Sequence, residues 1–158
     1  IMPSLVGSEM CIRDRVLIDI DSTEAINIYG MKEANKNYFV TSFDLYSLKR
    51  GIEILDGLNE TVKLKKVLFS KYASSEEDDY LNFLSLGHKI VWESERIYFP
   101  FELGDQSVII ENQIISKIKV KRLSNQFRES LLYMAEEIVA PEDKGKVKKA
   151  FKQLEKEV

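Results

Sequence analysis

Short apolar runs separated by amphipathic segments dominate the pattern of this chain. The runs are Val16–Ile20, Tyr38–Ser42, Lys66–Ser70 and Ile97–Phe99. Each is rich in aliphatic, aromatic or β-branched residues and lacks a regular alternation with polar ones. That composition is typical of strands covered on both faces. The pattern therefore predicts four buried strands, and Pro100 ends the last of them.

Between and after these runs, apolar residues recur at helical spacing. Those within Leu45–Leu55 share one helix face, Asp44 is placed to cap the first turn, and Gly57 suits the end. Further helices are expected from Ser75, over Ser124–Val139 and over residues 142–157. The segment Gln106–Ile118 fits a helix or a strand.

Strands that alternate with helices at this spacing need crossover connections, which join parallel strands. We therefore expect an α/β fold: a partial parallel sheet with helices on both faces, followed by C-terminal helices. The length suits one domain with its own core.

Bulk composition excludes several classes of function. The chain has 23 Lys+Arg against 26 Asp+Glu, a net charge of −3, and so gives no general signal for nucleic-acid binding. Its single cysteine, Cys11, and single histidine, His88, argue against disulfides and against metal sites built on thiolate or imidazole. No stretch approaches the roughly 20 apolar residues of a membrane span. We expect a cytoplasmic location.

The N-terminal segment differs in kind from the rest. Leu5–Arg15 resembles the in-frame translation of a transposase adapter used to prepare DNA sequencing libraries. Such a segment is set aside before fold reasoning. We therefore expect no native structure in residues 1–15, an α/β region over 16–139 that continues a longer protein, and an amphipathic helix within 141–158.

Polar residues follow the predicted strands and mark candidate chemistry. Parallel sheets bind ligands at the carboxyl ends of their strands. The candidate site residues at these ends are Asp19, Thr41, Ser70 and Pro100. An acid after an apolar strand, as at Asp19, can hold a Mg²⁺-bound water beside phosphates. The alternative for Asp19 is a strand-end carboxylate that caps the next turn.

Four segments carry a family resemblance. They are Val-Leu-Ile-Asp (16–19), Tyr-Phe-Val-Thr-Ser-Phe-Asp-Leu-Tyr-Ser-Leu-Lys-Arg (38–50), Lys-Val-Leu-Phe-Ser-Lys-Tyr (66–72) and Ile-Tyr-Phe-Pro-Phe (97–101). Their order and spacing resemble the second half of a ParA/MinD-type P-loop ATPase. The resemblance implies that Asp19 supplies the Walker B carboxylate and orders Mg²⁺ through water. It also implies that Thr41 senses the nucleotide state, and that Ser70 and Pro100 border the base.

This chain departs from the family pattern in three places. It contains no G-x-x-x-x-G-K-[ST] loop, which in the family lies upstream. Ser70 stands where the family has Asn, and the family's pair of prolines is missing from 19–30. We therefore expect ATP and Mg²⁺ to be cofactors of the intact parent, and neither to bind tightly to this chain.

Two functions follow from the resemblance and its departures. One is a nucleotide-dependent positioning or assembly ATPase, present as its C-terminal half and acting as a homodimer or with a protein partner. The other is a catalytically inactive, ATPase-like binding or scaffold module that assists pilus or secretion assembly. A receiver-like signalling domain using Asp19, Thr41 and Lys71 is a third and weaker interpretation.

Three charged features have simpler interpretations beside functional ones. The lysines of residues 142–158 flank an apolar stripe and could contact anionic lipid at the inner membrane face. Docking of that helix on its own domain is the favoured alternative. The acidic run Glu76–Asp79 is expected to be a solvated helix start, and His88 a surface residue.

Overall fold

A computed structural model describes residues 15–42, 44–70, 75–100 and 102–156. Six α-helices and three strands are present in these ranges. In chain order they are α1 (Thr23–Tyr29), β1 (Tyr38–Ser42), α2 (Leu45–Leu55), β2 (Val62–Ser70), α3 (Ser75–Leu84), β3 (Ile90–Pro100), α4 (Leu103–Ile115), α5 (Asn125–Ile138) and α6 (Lys144–Leu154). Short 3₁₀ turns cover Met31–Glu33 and Pro141–Asp143.

The three strands form a parallel sheet in the order β1-β2-β3. Val40 pairs with Val67, and Val67 pairs with Ile97, so β2 is central. The pairing of β2 with β3 is irregular next to Leu64, where β3 carries extra residues before Arg96. The observed architecture confirms the expected α/β class with a parallel sheet.

Each face of the sheet supports its own hydrophobic cluster. The first cluster includes Ile26 of α1, Leu48, Ile52 and Leu55 of α2, Leu64 and Leu68 of β2, and Leu81 of α3. The second includes Val67 of β2, Ile97 and Phe99 of β3, Val108 of α4, Phe127 of α5 and Phe151 of α6. Alternate residues of β2 supply opposite clusters, because successive side chains of a strand point to opposite faces. Helices therefore cover both faces, as the sequence predicts.

A buried carboxylate joins α4 to α5 on the second face. Asp105 is 1% exposed. It accepts hydrogen bonds from the backbone N–H of Ser124 at 2.6 Å, the Ser124 hydroxyl at 2.8 Å and the backbone N–H of Glu102 at 3.0 Å. Ser124 in turn caps α5 by accepting from the N–H of Phe127 at 3.3 Å. One acid thus fixes the start of two helices.

Some predicted elements match the observed ones closely, whereas others are predicted shorter than they are. The strand Tyr38–Ser42 and the Asp44 cap of α2 are confirmed. The third and fourth runs are longer than predicted, extending back to Val62 and Ile90. The ambiguous segment Gln106–Ile118 is helical as far as Ile115.

The predicted first strand is wrong. Residues 15–20 have no regular secondary structure, and Val16, Leu17 and Ile18 are 83%, 72% and 49% exposed. An apolar run becomes a strand only when a neighbouring strand satisfies its backbone, and among the described residues β1 pairs with β2 alone. Ser22 then starts α1 by accepting from the N–H of Ala25 at 3.2 Å. Of residues 1–15, which are predicted to have no native structure, residues 1–14 lie outside the described part of the chain.

The C-terminal helix docks on its own domain, which agrees with the favoured alternative. Phe151 is 8% exposed, and Leu154 packs against the second cluster. Arg128 of α5 donates to Glu155, just after α6, at 3.2 Å. The apolar side of α6 is therefore occupied by α5.

Gly51 allows α2 to lie close to β1, and its substitution tests this packing. A Cβ at Gly51 would lie 2.7 Å from Cζ of Phe39, whose side chain is buried. We predict that Gly51→Ala lowers the free energy of unfolding by about 1–3 kcal/mol, because overpacking outweighs the helix propensity of alanine. Urea denaturation measures the change.

Gly145→Ala is the matched control, since Gly145 lies in α6 with no atom within 4 Å of the added Cβ. That variant is expected to be more stable by about 0.4–1 kcal/mol. Equal stabilisation by both substitutions would show that α2 does not approach Phe39 as described.

Candidate functional site

The carboxyl edge of the sheet brings three of the four predicted site residues into one row. Thr41 pairs with Leu68 at the end of β1, and Ser70 pairs with Pro100 at the ends of β2 and β3. Thr41, Ser70 and Pro100 therefore stand at neighbouring strand ends, as expected for a ligand-binding edge. Lys71 lies outside the described residues.

Local hydrogen bonds occupy the polar groups that end β1. Thr41 is 7% exposed, and its hydroxyl donates to the carbonyl oxygen of Ser42 at 3.0 Å. The Ser42 hydroxyl donates to Oδ2 of Asp44 at 2.7 Å, and the backbone N–H of Ser47 donates to Oδ1 at 2.7 Å. Hydrogen bonds from Ser47 and Ser42 lower the pKa of Asp44 to about 2. Asp44 is therefore an ionised helix cap at neutral pH.

The structure does not place Asp19 at the end of a strand. Asp19 is exposed and precedes α1, whose first residue, Thr23, donates its hydroxyl to the carbonyl oxygen of Ile54 at 3.5 Å. Ile54 lies at the C-terminal end of α2, whereas Asp44 marks the opposite end of that helix at the carboxyl edge of the sheet. The expected strand-end position of Asp19 is therefore wrong, because the strand before it does not form.

Two adjacent lysines of β2 are buried, and sequence reasoning missed both. Lys65 is 5% exposed and Lys66 is 3% exposed. Because they are consecutive in a strand, they point to opposite faces of the sheet. A buried lysine requires an anionic partner, so each face must provide acids at this point.

On the second face, Lys65 is held by an acid of α5. Its Nζ lies 2.9 Å from Oε1 of Glu137 and 3.2 Å from Oε2 of Glu95. Glu93 lies farther, at 3.6 Å. Glu137 also accepts from Nζ of Lys36 at 2.8 Å. This group ties the loop before β1, two strands and α5 together.

The ionisation of this group is shifted toward the charged forms. Hydrogen bonds from Lys36 and Lys65 lower the pKa of Glu137 to about 2. Burial acts to lower the pKa of Lys65, but hydrogen bonds to Glu137 and Glu95 outweigh it and raise that pKa above its ordinary value. Burial, with the negative charge of Glu137, raises the pKa of Tyr38 to about 12. A lysine held this firmly as a cation is unsuited to nucleophilic chemistry.

On the first face, Lys66 is held by α3. Its Nζ lies 2.6 Å from Oδ1 of Asp78 and 2.6 Å from Oδ1 of Asn82, and 5.1 Å from the centroid of the Trp92 ring. Asp78 also pairs with Arg96 of β3 at 2.6 Å. The expectation of a solvated acidic helix start is therefore wrong for Asp78, whose side chain is 17% exposed.

His88 is also more engaged than expected. Its Nδ1 is hydrogen-bonded to Oδ1 of Asp56, and its side chain is 22% exposed. The pair lies beside a groove of about 200 Å³ that Lys49, Ile52, Glu53 and Leu84 also line. Because Asp56 follows the last residue of α2, this contact joins the end of α2 to the start of β3.

The described ranges contain no group of three or more His, Cys, Asp or Glu side chains that could hold a metal ion. None of the described helices has both the length and the apolar character to cross a bilayer. No family model, no curated protein and no solved structure matches this chain. The resemblance to ParA/MinD-type ATPases therefore rests on the quoted segments alone.

The Lys65 group makes stability depend on pH at the acid end. Glu137 has an ordinary pKa of 4.5 that falls to about 2 on folding. Its contribution to stability is therefore complete above pH 4.5 and is lost as the pH falls toward 2. We predict that Glu137→Gln lowers the free energy of unfolding at pH 7 by about 2–3 kcal/mol, because Lys65 loses its closest anion. The variant also loses this part of the acid dependence.

Urea denaturation at several pH values between 2 and 7 measures both effects. Glu129→Gln, an exposed position of the same helix, is the control and should follow the native curve. An acid profile of Glu137→Gln that matches the native one would refute the assigned role of Glu137.

Proposed function

We propose that this chain is a catalytically silent α/β binding or scaffold module. The observation that carries the proposal is the use of the buried charges. Lys65 and Lys66, the two buried lysines of the central strand, are engaged by Glu137 and Asp78 inside the fold. Buried charges paired across layers serve architecture, because freeing one of them costs several kcal/mol.

The carboxyl edge supports the same proposal. The Thr41 hydroxyl donates to its own backbone, and Asp44 caps α2. Groups already satisfied by their own fold contribute little to a reacting ligand, because each must first give up an existing hydrogen bond. Asp19, the residue that the ATPase resemblance makes catalytic, precedes α1 instead of following a strand.

A nucleotide-binding role in a longer ATPase is the second candidate. It is favoured by the alignment of Thr41, Ser70 and Pro100 along one edge of a parallel sheet. In that candidate, ATP and Mg²⁺ would be held mainly by residues upstream of this region, and a homodimer or protein partner would read the nucleotide state.

Nucleotide turnover tests the silent module, because only a positive result would favour the ATPase candidate for this chain. We predict that the purified chain releases no phosphate from Mg²⁺-ATP above a protein-free control. We also predict no change in the anisotropy of a fluorescent ATP analogue, because the sequence has no G-x-x-x-x-G-K-[ST] loop to cradle the phosphates. Asp19→Asn should behave like the native chain. Mg²⁺-dependent hydrolysis that Asp19→Asn abolishes would overturn the silent module in favour of the ATPase.

A further inference from the structure

The two edges of the sheet differ in their protection against pairing. An exposed strand edge is a template for another strand, and proteins protect such edges with charges, bulges and proline. β3 has all three: Glu93, Glu95 and Arg96 along its length, the irregularity opposite Leu64, and Pro100 at its end. The Glu95 and Arg96 side chains are 70% and 35% exposed.

β1, at the other edge, has none of these devices. Its sequence Tyr-Phe-Val-Thr-Ser is uncharged and rich in β formers. Val40, at its centre, is 59% exposed, and the neighbouring Leu45 and Tyr46 of α2 are 50% and 80% exposed. Within the described residues, β1 has a strand partner on one side only. Backbone hydrogen bonding and apolar burial are therefore both available at this edge.

The charges that flank β1 indicate which kind of strand could pair with this edge, and in which orientation. Lys36 precedes the strand and Asp44 follows it; both are exposed, and within the chain Lys36 pairs with Glu137 and Asp44 caps α2. If β1 paired antiparallel with β1 of a second copy around Val40, Lys36 of each copy would lie next to Asp44 of the other. Parallel pairing would instead place like charges side by side, which is unfavourable. The edge is thus self-complementary in one orientation.

We propose that β1 is a homodimerisation edge, at which two copies of this chain pair antiparallel around Val40 into one continuous sheet. The pairing sets Phe39 opposite Thr41 of the second copy, and Tyr38 opposite Ser42. The two Val40 side chains then lie on the same face and cover each other. The contact is isologous, as expected for a two-fold dimer. This inference rests on the proposed binding function and names its partner.

Site-specific disulfide formation tests the pairing and its register. In a Cys11→Ser background, which removes the only native cysteine, Val40→Cys is oxidised under mild conditions. Directly opposed residues of antiparallel strands have Cα atoms about 4.5–5.5 Å apart, within the range that a disulfide needs. Val91→Cys is the matched control, because Val91 is also an exposed strand valine but lies on the protected edge.

We expect Val40→Cys to form about tenfold or more covalent dimer than Val91→Cys. Val40→Lys should shift the native sedimentation boundary from dimer to monomer with unchanged circular dichroism, whereas Val91→Lys should not. A native chain that sediments as a monomer at all concentrations, equal cross-linking at both sites, or cross-linking through larger oligomers would each overturn the proposal. If one of these results is found and the chain does not hydrolyse ATP, the dimer proposal alone is refuted. ATP hydrolysis by the chain would instead refute the proposed silent module.

Discussion

The arrangement of this fold depends on two consecutive buried lysines in its central strand. Lys65 and Lys66 point to opposite faces, and each is neutralised by a helix that covers that face, α5 through Glu137 and α3 through Asp78. A cation inside a protein is tolerated only where an anion meets it. The lysines therefore restrict which helix can cover which face, and in what position, more strictly than apolar contacts do. The hydrophobic clusters around the lysines bury most of the apolar surface, but apolar contacts do not select one helix over another in this way.

The same constraint shapes the functional interpretation. The buried lysines of the central strand are directed into the layers of the fold, while Val40 of β1 and the nearby Leu45 and Tyr46 are among the exposed apolar side chains. A module with this distribution is suited to associate through its edge while its interior stays chemically inert. This is the physical basis on which we favour a binding or scaffold role over catalysis by the chain itself.

Sequence patterns predict the parts of the fold that local rules determine. The strand Tyr38–Ser42, the Asp44 cap and the α5 helix follow from apolar runs, capping chemistry and helical spacing. The apolar pattern does not predict the burial of Lys65 and Lys66, because the third run begins only at Lys66 and lysine is ordinarily exposed. Two lysines in succession within a strand covered on both faces could have signalled it. The pattern also failed at Val16–Ile20, because strand formation depends on a neighbour that a local run does not reveal.

The most direct test of the central constraint is a double-mutant cycle on Lys66 and Asp78, with Lys66→Met and Asp78→Asn made singly and together. Urea denaturation at pH 7 gives the four free energies of unfolding. If the buried pair aligns α3 on the sheet, the two substitutions are strongly non-additive, with a coupling free energy of about 1.5–3 kcal/mol. Additivity within about 0.5 kcal/mol would contradict the account, since it would mean that the lysine and the acid do not meet in the folded chain.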